Sequence, residues 1–127
     1  MFLFAFMAMA MLASAQTLKF TKFVAIQNGQ MGETKNVTTT FIFNSGDNGK
    51  YIMQYVFGNT TDRTVFLQVA PVENKVANGV PLQFYKTIVS DGGTAGGNGV
   101  NVNFLLLNSG ELIESIEGSN TGFAFIP

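Results

Sequence analysis

The feature that most constrains the fold is a period-two alternation of apolar and polar residues, interrupted by clusters of Gly, Asn and Asp. No segment after residue 15 keeps the apolar spacing of a helix over about ten residues. The pattern therefore predicts an all-β domain over residues 16–127. The eight predicted strands cover residues 18–26, 36–43, 50–57, 63–70, 81–89, 100–108, 111–117 and 122–126.

The connections between these strands are short. Asp47-Asn48-Gly49, Asn108-Ser109-Gly110 and residues 118–122 each join two predicted strands. A parallel crossover needs a dozen or more residues, so the strands are expected to run antiparallel. We predict an antiparallel eight-stranded up-and-down barrel, with a two-sheet β-sandwich as the alternative.

The first fifteen residues have the character of an export signal. Residues 2–12 form an apolar run, and Ala13-Ser14-Ala15 follows as an A-x-A-like cleavage site. The run is too short to cross about 30 Å of hydrocarbon, so no membrane span is expected after the signal is removed. The sequence predicts a secreted or periplasmic protein that begins at Gln16, with a retained short anchor as the alternative.

The composition excludes several kinds of chemistry. The chain has no His, no Cys and no Trp, and its 7 basic residues are balanced by 8 acidic ones. It therefore has no imidazole base, no thiol nucleophile, no His- or Cys-ligated metal and no disulfide. It also has no surplus of positive charge to hold nucleic acid. We expect no catalytic residues, no metal and no cofactor.

Residues 90–99 are rich in glycine. Asp91, Gly92, Gly93, Gly96 and Gly97 are interpreted as a mobile loop, because polar glycine-rich stretches behave as flexible coil. Phosphate binding would require a following Lys-Ser or Lys-Thr and a helix. Calcium binding would require more carboxylates than the single Asp.

Three carboxylates lie at or beside the seventh predicted strand. Glu111, Glu114 and Glu117 are three residues apart, which places successive members on opposite faces of a strand. The favoured interpretation is a solvated, charged edge that resists pairing with other sheets. A cation site and a paired-carboxylate glycosidase are the alternatives.

Two other motifs have two interpretations each. Tyr51 and Tyr55 share a predicted face with Met53 and Phe57, which favours a place in the core over a stacking surface for sugars or bases. Asn36 and Asn59 begin sequences that match the N-glycosylation pattern, which matters only in a eukaryotic secretory pathway.

Several predicted strands are apolar on both faces. Residues 104–107 form an unbroken apolar run, and Ile52 and Val56 lie opposite Tyr51 and Tyr55. An antiparallel sheet with one wet face should instead alternate with polar residues. We therefore predict an interaction face that includes Leu105, Leu107, Ile52 and Val56, and binds a second copy of the chain or another protein.

The strand layout resembles that of small secreted bacterial lipocalin-like, or calycin-like, proteins. The resemblance rests on residues 19–23, residues 26–29, the Asp47-Asn48-Gly49 hairpin, the break at Asp91-Gly92-Gly93 and the Asn108-Ser109-Gly110 meander. It covers most of residues 16–127 as an order of strands and carries over no functional residue.

The first functional hypothesis is a non-catalytic binding module for a small apolar ligand or a protein partner. The second is a structural or surface-assembly protein that self-associates through apolar faces or sheet edges. An enzyme that uses the carboxylates or the tyrosines is the third.

Overall fold

The computed structural model describes residues 15–56, 63–93 and 96–127. These residues form eleven strands and one short 3-10 turn, Asp47–Gly49. The strands are β1 (Gln16–Phe20), β2 (Lys22–Gln27), β3 (Gln30–Lys35), β4 (Thr39–Ser45), β5 (Tyr51–Val56), β6 (Arg63–Gln68), β7 (Glu73–Ala77), β8 (Val80–Asp91), β9 (Asn101–Leu107), β10 (Leu112–Ile116) and β11 (Gly122–Ile126). The predicted signal and the Asn59 motif lie outside the described residues.

All described strands belong to one strongly curled antiparallel sheet. Its order is β1-β4-β5-β6-β8-β9-β10-β11-β2-β3, and β7 pairs with β8 beside this path. β1 pairs with β4 at one end of the order, and β2 pairs with β11 near the other. Only Thr21 separates β1 from β2, and its backbone N–H donates to the carbonyl of Ile126 at 3.0 Å. The bent segment of residues 16–27 thus joins both ends of the curled sheet, which confirms the predicted antiparallel barrel.

The strand count is higher than the predicted eight for two reasons. The bend at Thr21 divides the first predicted strand into β1 and β2. In addition, β3 and β7 form hairpins with β2 and β8 in regions that the sequence pattern left as connections. Their turns are Asn28-Gly29 and Asn78-Gly79, and all four residues have φ between 52° and 79°. Two consecutive residues at positive φ make the tight turn whose twist matches that of a hairpin.

A cluster of aromatic rings fills one half of the barrel interior. This aromatic plug consists of Phe20, Phe41, Phe43, Phe66, Tyr85, Phe104 and Phe125, all nearly inaccessible to solvent. The closest ring centres, those of Phe66 and Phe104 and those of Phe41 and Phe125, are 4.9 Å apart in edge-to-face geometry. Such pairs contribute roughly 0.5–1.5 kcal/mol beyond the burial of their surface. The plug therefore holds strands from around the whole barrel together.

β5 packs the face that contains Ile52 against the core, whereas the sequence pattern predicted that the tyrosine face would lie there. Ile52 is 1% exposed and belongs to the core cluster. Because side chains alternate along a strand, Tyr51, Met53 and Tyr55 lie on the outer face, where all three are half-buried. The prediction that the tyrosine face is core is therefore wrong, and Phe57 lies outside the described residues.

No helix in the described part of the chain has the length and hydropathy that crossing a membrane requires.

Candidate functional site

The second half of the barrel interior is hollow. Side chains two residues apart along a strand point to the same face, so a strand that carries a plug residue can continue on the same face to a residue at the other end of the barrel. Along β6 this step leads from Phe66 to Thr64, and along β9 from Phe104 to Val102. The aromatic rings give way to smaller side chains, and a cavity of about 700 Å³ opens there.

This cavity, here called the cup, is walled mainly by apolar groups. Phe66 connects it to the plug, and residues of the β8–β9 loop border it. Its described lining comprises Gln54, Val56, Arg63, Thr64, Phe66, Val89, Gly92, Gly96, Gly97, Val100, Val102, Glu114, Ile116, Thr121, Gly122 and Phe123. Ligand pockets of this size, with a few polar groups in an apolar wall, are typical of small-molecule sites.

Glu114 is the carboxyl group in this wall. In the sequence Leu112-Ile113-Glu114-Ser115-Ile116, it shares a strand face with Leu112, which is fully buried in the core cluster. β10 is paired on both sides, and Glu114 stands opposite Phe104 of β9 and Phe123 of β11. Its carboxyl group therefore points into the barrel between aromatic neighbours.

The environment of Glu114 favours the protonated acid. Part of the side chain is accessible from the cup, but Oε1 is buried and has no hydrogen-bond partner among the described residues. Burial raises the pKa of Glu114 to about 8 from its ordinary 4.5. The physical cause is desolvation, because an apolar surrounding disfavours the charged form.

Gly122 lets β11 approach β10 beside this residue. A Cβ atom at Gly122 would collide with the backbone carbonyl oxygen of Glu114 and would lie 2.9 Å from the Cα of Ser115. Gly122 is paired with Ser115 and also lines the cup. The absence of a side chain at this position thus helps to set the backbone of Glu114.

The interpretation of the three glutamates as a solvated edge is wrong for Glu114. Glu114 lies on a central strand and faces the interior of the barrel. It does so because its register partner, Phe104, fixes which face of β10 points inward. Glu117 is solvated, and its carboxylate lies 3.8 Å from the ammonium of Lys86. The sequence signal for Glu114 was its position two residues from both Leu112 and Ile116.

The glycine-rich loop borders the cup. Asp91 is the last residue of β8 and not part of a loop, so that prediction needs correction at this position. The N–H of Gly93 donates to Oδ1 of Asp91 at 3.0 Å, and the N–H of Gly92 donates to Oδ1 of Asn98 at 2.8 Å. Gly92, Gly96 and Gly97 line the cup. The mobility of the loop stays a prediction.

The four residues of the predicted interaction face do not lie together. Ile52 is buried in the core, so its inclusion was wrong. Val56 is 48% exposed but lines the cup, on the inner face of β5. Leu105 and Leu107 are half-buried on β9, on the face opposite to Phe104.

Leu105 belongs to an apolar row on the outside of the barrel. The register places it directly opposite Phe84 on one side and Ile113 on the other. Ile113 stands opposite Ala124, which in turn stands opposite Val24. We call these five side chains the outer row. Leu107 lines a different hollow, of about 710 Å³, together with Leu82 and residues of β7.

No three Asp, Glu, His or Cys side chains of the described residues come close enough together to hold a metal ion. Comparison with protein-family models finds no match, and comparisons with curated proteins and with solved structures find none either.

Proposed function

We propose that this protein is a non-catalytic binding module that takes up a small, largely apolar ligand in the cup. The observation that carries the proposal is the division of the barrel interior into an aromatic plug and a hollow of about 700 Å³. The plug supplies the stability of the fold, so the hollow end is free to accept a ligand. Export, based on residues 1–15, and the lipocalin-like resemblance are parts of the same proposal.

Uptake of a neutral apolar dye tests this function. N-phenyl-1-naphthylamine gains fluorescence when it leaves water, so titration with the purified protein should give saturable binding at one site. Thr64→Trp places an indole in the cup and should weaken binding. Thr40→Trp is the matched control, because Thr40 is a half-buried threonine on β4, on the face opposite to Phe41.

The expected result is weaker binding by Thr64→Trp and unchanged binding by Thr40→Trp. Failure of the wild-type protein to take up the dye, or equal binding by both variants, would contradict a ligand site in the cup.

The outer row supports a second candidate function, self-association of the chain. Three half-buried side chains, Phe84, Leu105 and Ile113, follow each other across β8, β9 and β10 on the outer face of the sheet, and the row continues into Ala124 and Val24, which are buried. Apolar surfaces of this kind are common at contacts between protein copies. A protein that assembles in this way should elute as a large species and take up no dye, whereas the binding module should elute as a monomer.

A further inference from the structure

The chemistry of the ligand can be inferred from a buried polar atom of the cup that has no hydrogen-bond partner among the described residues. Oε1 of Glu114 is buried without a hydrogen-bond partner among the described residues, although the large majority of buried polar atoms in proteins have one. The side chain points into the cup from a paired central strand. A group that enters the cup and donates a hydrogen bond to this oxygen would remove the deficit.

The charged side chains around the cup determine whether a positively charged or a neutral hydrogen-bond donor is the better ligand group. Arg63 is the other charged side chain in the described lining, and it is an exposed residue at the first position of β6. The described residues of β5, β8, β9 and β11 that line the cup contribute neutral side chains. A positively charged donor would therefore stabilise the carboxylate form of Glu114, because attraction between opposite charges is only weakly screened in an apolar wall.

We propose that the cup binds a lipophilic amine, with the ammonium group hydrogen bonded to Oε1 of Glu114 and the hydrocarbon part against the apolar wall. This inference rests on the proposed function. Charge-assisted hydrogen bonds are roughly twice as strong as neutral ones, which favours an ammonium over a hydroxyl group. Where Glu114 is ionised it would repel a ligand carboxylate, and where it is protonated it offers a carboxylate no opposite charge.

Binding of the ammonium form changes the protonation of the protein. At pH 7 the acid form of Glu114 predominates in the empty cup, because burial raises its pKa to about 8. The ammonium pairs with the carboxylate, so Glu114 loses its proton to the solvent as the amine enters. Between pH 6 and pH 8 the affinity for the amine should therefore rise with pH, whereas the affinity for a neutral alcohol should not.

Three probes with the same chain length test the proposal: decylamine, decanol and decanoic acid. Competition with N-phenyl-1-naphthylamine measures each affinity for the wild-type protein, for Glu114→Gln and for Glu111→Gln. Glu111 is the matched control, because it is a nearby glutamate outside the described lining of the cup. We expect decylamine to bind about tenfold or more tightly than decanol, a preference of about 1.4 kcal/mol. Glu114→Gln should remove this preference and keep decanol binding, while Glu111→Gln should behave as the wild type.

Calorimetry of the wild-type protein provides a test that needs no variant. Titration with decylamine at pH 7 in buffers of different ionisation enthalpy should show release of most of one proton, and titration with decanol should show none. Equal affinities for the amine and the alcohol, an amine preference that persists in Glu114→Gln, or no proton release would overturn the inference while leaving the cup as a ligand site. Failure of all three probes and the dye to bind would overturn the proposed function as well.

Discussion

Changing the pH between 5 and 8 should change the stability of this protein through Glu114. In the unfolded chain this carboxyl group has its ordinary pKa of 4.5, whereas in the folded barrel burial raises the pKa to about 8. Between these two values the folded state holds a proton that the unfolded state has lost. Stability is therefore greatest at low pH within this window and falls as the pH rises towards 8.

The size of this change in stability follows from the difference between the pKa values of Glu114 in the folded and the unfolded chain. One unit of pKa difference corresponds to about 1.4 kcal/mol, so the free energy of unfolding should fall by about 3 to 4 kcal/mol between pH 5 and pH 8. This is a large part of the roughly 5–15 kcal/mol that stabilises a typical domain. The chain has no His and no Cys, the two side chains that ordinarily titrate near neutral pH. The slope in this window therefore reports mainly on Glu114.

Urea unfolding followed by circular dichroism at pH 5, 6, 7 and 8 measures this slope. Glu114→Gln replaces the acid by a neutral amide of the same shape, so its stability should be nearly constant over the same range. The variant should also be more stable than the wild type at pH 8. Equal stability of the wild-type protein at pH 5 and pH 8, or a wild-type slope in Glu114→Gln, would contradict a protonated Glu114 in the folded barrel.

Four further predictions concern other parts of the chain. Phe104→Ala should cost roughly 3–5 kcal/mol of stability in urea unfolding, because Phe104 is fully buried in the aromatic plug, and little loss would contradict the description of the core. Gly122→Ala should lower both stability and dye binding because its Cβ would collide with the Glu114 carbonyl, whereas Gly32→Ala, whose Cβ would lie 3.4 Å from its nearest neighbour, should fold more nearly as the wild type. Leu105→Lys should reduce any self-association measured by light scattering across a range of concentrations and leave folding intact; association that persists would exclude the outer row. Intact-mass measurement of the exported protein should show a chain that begins at Gln16, and a mature protein that retains residues 2–12 would reject the predicted cleavage.

Much of the barrel could be predicted from the sequence because its central strands contain alternating apolar residues between turn residues. β3 and β7 were missed because every residue of both strands is exposed, so neither contains an apolar alternation. The Asn-Gly pairs before Gln30 and Val80 were the available signal, since such pairs favour tight hairpin turns.

The faces of the strands were harder to assign than the strands themselves. β5 is apolar on both faces, so alternation alone could not decide between Ile52 and the tyrosine face. The same difficulty concealed Glu114. Its shared face with Leu112 was evident in the sequence, but the inward orientation of that face depends on the register with Phe104. Register is a property of the assembled sheet and is not encoded in β10 alone.

Binding of an apolar ligand against Glu114, in the hollow end of the barrel, is tested most directly by mapping the bound ligand with nuclear magnetic resonance. Backbone and methyl signals of the purified protein are followed during titration with decylamine. We expect the largest shifts in the cup, at Val89, Val102 and the residues around Glu114. Shifts confined to the outer row around Leu105, or no saturable shifts, would contradict it.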